Sequence, residues 1–194
     1  MKIQAALFTI YRFCDIIKCQ DSLIEEILKM NHRKEFRSFN RYEYHKGFYN
    51  DDDDPTEALS KIKYTDFFDE PKDEDFPFYC AYELLCGSCN HFALSLQKVL
   101  NYTPYIIESK KIKGFHAFCQ VYKRGRWYYI DARGATTSFN EFMDIAKQFV
   151  SDEYVIRPID DNDIAKWEED PYYEEEAYEF AEAVIESYKE CYEI

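Results

Sequence analysis

The sequence predicts an α+β fold in which one helix packs on an antiparallel sheet, and three observations carry that expectation. Phe92, Ala93, Leu96, Val99 and Leu100 recur at helical spacing between Ser88 and Asn101. Two runs that suit paired strands, Phe115 to Lys123 and Arg126 to Ala132, then flank Arg124-Gly125. Further on, Ala177, Phe180, Ala181, Val184, Ile185 and Tyr188 share one face of a helix. The 194 residues suit a single domain, 1–194, read as a core over 76–150 with flanking helices and an acidic helical extension over 151–194.

Along the chain, Ser22 and Glu25 fit a capping box that opens a helix. From His32 to Lys46, five bases and two acids are interleaved with Phe36, Phe39, Tyr42 and Tyr44. Such a mixture suits either a packed amphipathic segment or a single-strand nucleic-acid surface. Asp51–Asp54 before Pro55 reads as a loop, without the glycine and closing glutamate of a calcium loop. Pro71 to Pro77 is an acidic connection. Ser88 is placed to cap the helix that begins at Cys89. Beyond the paired strands, Ser138 and Glu141 fit a capping box for a helix to about Phe149. Tyr154 to Arg157 reads as a strand, and Asp163 as the cap of a short helix holding Trp167.

Composition narrows the class. Apolar residues make up 46% and aromatics 19%, enough to build a core despite 32% charged residues. No run approaches the roughly 18 apolar residues of a membrane span. The first residues carry no signal-peptide pattern, and seven irregularly spaced cysteines do not form a secreted framework. A reducing cytoplasm is the expected setting. The net charge of −14 argues against direct nucleic-acid binding. It is unevenly spread: residues 152–194 hold 16 acids against 3 bases, whereas residues 110–133 hold 7 bases against 1 acid. The basic island can steer an acidic substrate or pair with the acidic C-terminal segment, which would then cover the site. The Glu-rich face of the last helix is either a solvated face or a surface for a basic protein.

Three reactive side chains arrive in order: Cys89, His116 and Asp131. A thiol in the first turn of a helix is favoured as thiolate by the unpaired N–H groups and the helix dipole. Gly87 just ahead permits a tight entry and close substrate approach. Centring a hairpin on Arg124-Gly125 opposes Lys123 to Arg126, Phe118 to Asp131 and His116 to Arg133. His116, Phe118, Trp127, Asp131 and Arg133 then share a face, with His116 and Asp131 as diagonal neighbours. Phe115, Ala117, Cys119, Val121, Tyr128, Ile130 and Ala132 form the opposite, core face. Cys89 reads as nucleophile, His116 as its base and Asp131 as the group orienting His116. The Cys89 backbone N–H is a natural oxyanion donor.

Other readings use the same residues. Each of Cys89 and His116 alone suits a core position. Cys86-x2-Cys89 with His116-x2-Cys119 has zinc-like spacing, but residues three apart on a strand point to opposite faces. Cys86 and Cys89 also have the spacing of a redox pair. No metal and no cofactor are expected.

The quoted residues resemble the transglutaminase-like branch of the papain-like superfamily. Gly87, Cys89 and Ala93 match its helix-start motif; His116, Ala117 and Phe118 match its first strand; Trp127 and Asp131 match the next. The ending Asp131-Ala132-Arg133-Gly134 before a capped helix is similar to small bacterial and phage proteins carrying this core. The likeness covers about a quarter of the chain, and Phe118 stands where the family usually has Trp. It implies a cysteine helix packed on an antiparallel sheet and thiol acyl chemistry on a peptide or protein: hydrolysis, deamidation or acyl transfer. Gly87, Ser88, Phe118, Trp127 and Arg133 are the expected substrate contacts. The alternative is an inactive, acidic binding or inhibitor protein on the same fold, of the phage counter-defence or nucleic-acid-mimicking kind.

Overall fold

The hairpin that the sequence predicts sits at the middle of a five-stranded antiparallel sheet in the computed structural model. Residues 55–69, 79–151, 153–170, 173 and 175–194 are described. The predicted helix at Ser22, the basic and aromatic segment 32–46, the Asp51–Asp54 loop and the 71–77 connection lie outside them.

In chain order, α1 (Pro55–Lys61) and a 3-10 turn (Tyr64–Asp66) lead to α2 (Glu83–Cys86) and α3 (Cys89–Leu100). Strands β1 (Thr103–Ser109), β2 (Phe115–Lys123), β3 (Arg126–Asp131) and β4 (Gly134–Thr136) follow. Then come α4 (Phe139–Phe149), β5 (Tyr154–Pro158), α5 (Asp161–Glu168), α6 (Glu176–Ser187) and α7 (Lys189–Tyr192). The sheet order is β4-β3-β2-β1-β5, every pair antiparallel.

The β2–β3 register opposes Lys123 to Arg126 and Tyr122 to Trp127. Arg124 and Gly125 both take positive φ, 53° and 77°, the mirror-image turn whose twist matches that of the strands. Both faces of the sheet are covered. Ala117, Cys119 and Ile130 pack under α3 with Cys89, Phe92, Ala93 and Leu96. Phe118 and Ile107 pack under α4 with Phe142, Met143 and Ala146. The His116 end of the other face is thus buried as well, because α4 folds back over it, while Tyr122 and Trp127 at the hairpin end stay exposed.

The two later caps differ from expectation in detail. The Ser138 hydroxyl accepts the N–H of Glu141 at 3.4 Å, while the Glu141 carboxylate accepts the Thr136 hydroxyl at 2.7 Å. Asp160, not Asp163, caps α5: its carboxylate accepts the N–H groups of Asn162 and Asp163. Asp163 completes the box and is held by Arg157, which also grips Glu108.

Residues after 151 contribute to both the sheet and the core. β5 forms a sheet edge against β1, and α6 buries Ala177, Phe180, Ala181, Val184 and Ile185 in the core shared with α3. The basic island is distributed: Lys111 pairs with Glu153, Arg133 with Asp131, and Lys123 donates to the carbonyl of Ile194. The acidic helix α6 draws partners from outside the island, Lys98 of α3 on Glu182 at 2.6 Å and Lys189 of α7 on Glu186 at 3.6 Å. Among the described residues, no helix is long and apolar enough to cross a membrane.

Candidate active site

The thiol, imidazole and carboxylate are brought together by an opening in the sheet. Pairing between β2 and β3 ends at Cys119 and Ile130, although β2 runs on to Phe115. Beyond that point the N–H of Ala117 donates to the sulfur of Cys89 at 3.4 Å, not to a strand. The start of α3 therefore fills a place in the ladder, and its thiol reaches the strand backbone from the core side. Small residues permit this approach: Ala93 on the helix meets Ala117 and Cys119 below it, all at most 2% exposed. The Cys119 thiol donates to the carbonyl of Ala93 at 3.3 Å, tying the same turn of helix to the same strand.

Ser88 stands at the cap position, but its hydroxyl accepts no hydrogen bond from the helix. The exit is as expected, with Asn101 in the left-handed region at φ 57°. The N–H of Cys89 belongs to the first turn, where no intrahelical partner exists, and so it suits an oxyanion donor.

His116 is fully buried against Phe142 and Phe149, each with ring centroids 5.8 Å away. Its Nε2 lies 3.4 Å from Asp131 Oδ2, long for a hydrogen bond. Nδ1 is buried and makes no hydrogen bond of ordinary geometry, so it is the nitrogen left for the neighbouring thiol. Burial alone would push His116 down. The Asp131 carboxylate and the Cys89 sulfur outweigh it and raise the imidazole to about 9.

Asp131 has a stronger partner than His116. Arg133 Nη2 donates to its Oδ2 at 2.6 Å, Nε to Oδ1 at 3.0 Å, and the Arg133 backbone N–H to Oδ1 at 3.0 Å. Burial would raise this carboxyl, but Arg133 first, and then His116, hold it well below the usual carboxylate range. Arg133 was expected to touch substrate. It is fully buried, and its guanidinium is bound to Asp131.

The other expected substrate contacts are dispersed. Gly87 is exposed beside Cys89, while Ser88 is buried. Phe118 is fully buried against Phe142, with centroids 4.4 Å apart. Trp127 is exposed at the hairpin tip against Tyr122, roughly 13 Å along the strand from Asp131. His116 and Cys119 lie on opposite sides of the sheet, one under α4 and the other under α3. The C-terminal segment closes the core behind the site: the Tyr192 hydroxyl donates to the carbonyl of Ala132 at 3.0 Å, and its ring meets Phe92. Sequence reasoning missed the parts played by Ala117 and Tyr192. Nothing in a backbone N–H or a near-terminal tyrosine marks it before the fold is known.

The raised His116 implies a sign for stability. Its contribution is complete below the unfolded value of about 6.5 and is lost as pH rises through about 9. Thermal midpoints should therefore fall between pH 6.5 and 9.5 more steeply in wild type than in His116→Gln. Parallel profiles in that window would refute the assignment.

No family model, no curated protein and no solved structure matches this chain.

Proposed function

We propose that this protein performs thiol acyl chemistry on an amide or ester, with a cytoplasmic peptide or protein as substrate. Cys89 is the nucleophile, His116 its base and Asp131 the carboxylate that orients the imidazole. The observation that best supports this reading is the place of the sulfur. It sits in the first turn of α3, takes the N–H of Ala117, the residue next to His116, and interacts with an imidazole whose Nε2 faces Asp131. Attack on a carbonyl would form a thioester as the leaving amine or alcohol takes a proton from His116. Water or a second amine would then release the acyl group. The helix-on-sheet arrangement agrees with a transglutaminase-like core.

The second reading, an acidic binding protein, is favoured by the burial of Cys89, 5% exposed, and by the closer grip of Arg133 on Asp131. One experiment separates the two: alkylation by iodoacetamide at pH 6, mapped by mass spectrometry. The catalytic reading expects Cys89 to react faster than Cys86, although Cys86 is the more exposed. It also expects a loss of about a hundredfold in His116→Ala, the lower range for a positioned base. If Cys86 reacts first, and His116→Ala changes nothing, thiol catalysis is ruled out and the binding reading stands.

A further inference from the structure

On α3, Cys89 faces the sheet. At 3.6 residues per turn, the opposite side of the helix carries His91, Leu94, Ser95 and Lys98. That side meets α6, and between the two helices lies a cavity of about 560 Å³, within the range of small-molecule sites.

Its lining combines three kinds of surface. Leu94, Ile164 and the ring of Tyr178 are apolar walls. Glu175 at the cap of α6, and Glu179 and Glu182 within it, follow one another at helical spacing and line the same groove. Ser95 completes the lining from α3. Its side chain is 1% exposed, and its hydroxyl has no hydrogen-bond partner, a rare state for a buried polar atom. Lys98 gives its ammonium to Glu182 at 2.6 Å, while Glu175 and Glu179 stand exposed one turn apart. The Tyr178 ring is fixed from behind by an edge contact with His91, centroids 4.5 Å apart.

These features together select the ligand. Acidic side chains and an unsatisfied hydroxyl call for a cation that also donates hydrogen bonds. Among the described residues no three acidic, cysteine or histidine side chains converge closely enough to hold a metal ion. The carboxylates are instead strung along the groove, beside walls suited to methylenes and a ring that can face an ammonium. We propose that the α3–α6 groove binds an alkylammonium chain. One ammonium sits between the Glu179 carboxylate and the Ser95 hydroxyl, with its methylenes on Leu94, Ile164 and Tyr178. A second charge, where present, meets Glu175. The ligand is either a free linear diamine or a lysine side chain, which share this chemistry. The groove lies on the side of α3 away from Cys89, so the proposal stands apart from the thiol chemistry.

Titration calorimetry on the full chain at low salt tests it, with 1,4-diaminobutane and Nα-acetyl-lysine amide as probes and 1-butanol as the uncharged control. At least one amine should bind saturably and butanol should not. Glu175→Gln/Glu179→Gln should weaken binding about tenfold or more, the loss that accompanies a charge-assisted hydrogen bond. Ser95→Ala should weaken it about fivefold with the thermal midpoint held. Tighter binding of the diamine identifies a free ligand, and tighter binding of the lysine amide identifies a protein side chain. Should neither amine bind saturably, or the double glutamine variant bind as wild type does, the proposal is overturned. The double variant changes exposed side chains only, so it decides the matter even if Ser95→Ala fails to fold.

Discussion

Asp131→Ala is expected to lower the thermal midpoint by about 10 °C. Asp131 is 2% exposed and Arg133 fully buried, and the carboxylate accepts the guanidinium at 2.6 to 3.2 Å. Removing one partner of such a pair leaves the other charge in the core without its counter-ion, which costs about 3–5 kcal/mol. For a domain of this size each kcal/mol lowers the midpoint by roughly 2–4 °C. The same physics predicts a partial rescue. Asp131→Ala/Arg133→Met removes both charges and should melt above the single variant, a non-additivity expected of residues in direct contact. The pH response runs opposite to that of His116. A carboxylate held below its ordinary range contributes stability above the unfolded value of about 3.9, and loses it as pH falls further toward the folded value. A loss under 2 °C for Asp131→Ala, with no rescue in the double variant, would show that the Arg133–Asp131 pair contributes little.

Gly114→Ala is expected to destabilise by about 3 kcal/mol, at the upper end for an overpacked site. A Cβ at this position would lie 2.1 Å from the carbonyl oxygen of Phe149 and 3.3 Å from its carbonyl carbon. Both are backbone atoms at the end of α4, so no rotamer change relieves the overlap. Either β2 or the last turn of α4 must shift. His116 follows two residues later and stacks on the ring of Phe149, so the shift would also disturb the imidazole. Chemical denaturation of Gly114→Ala, with Cys89 alkylation as a second reading, measures both effects. A variant with wild-type stability and wild-type Cys89 reactivity would show that the close approach constrains nothing.

Much of the architecture follows from local chemistry. Two residues that reverse the chain and a period of two on either side are enough to set the hairpin register. The same pattern places His116 beside Asp131. The start of α3 at Cys89 and its end before Asn101 follow from the apolar spacing together with Ser88 and Asn101 as boundary residues. These features depend on neighbours within a few residues or directly across a turn, and such neighbours leave a mark in the sequence.

What the tertiary structure decided depends on segments far apart in the chain. Sequence periodicity assigned a core role only to the face opposite His116, and Phe118, on the His116 face, was expected to meet substrate. In the structure α4 folds back over that face, so Phe118 becomes core. Arg133 read as a substrate contact because a cation at the end of a strand gives no sign of where its guanidinium will turn. The tight turn from β3 to β4 aims it back at Asp131. The parting of β2 and β3 beyond Cys119 and Ile130, which lets a helix-borne sulfur take the N–H of Ala117, is a property of the packed layers. The sequence by itself determined which reactive groups lie on adjoining elements. Only the packing of α3, α4 and α6 around the sheet decided how deeply they are buried, and that Asp131 divides its charge between an imidazole and a guanidinium.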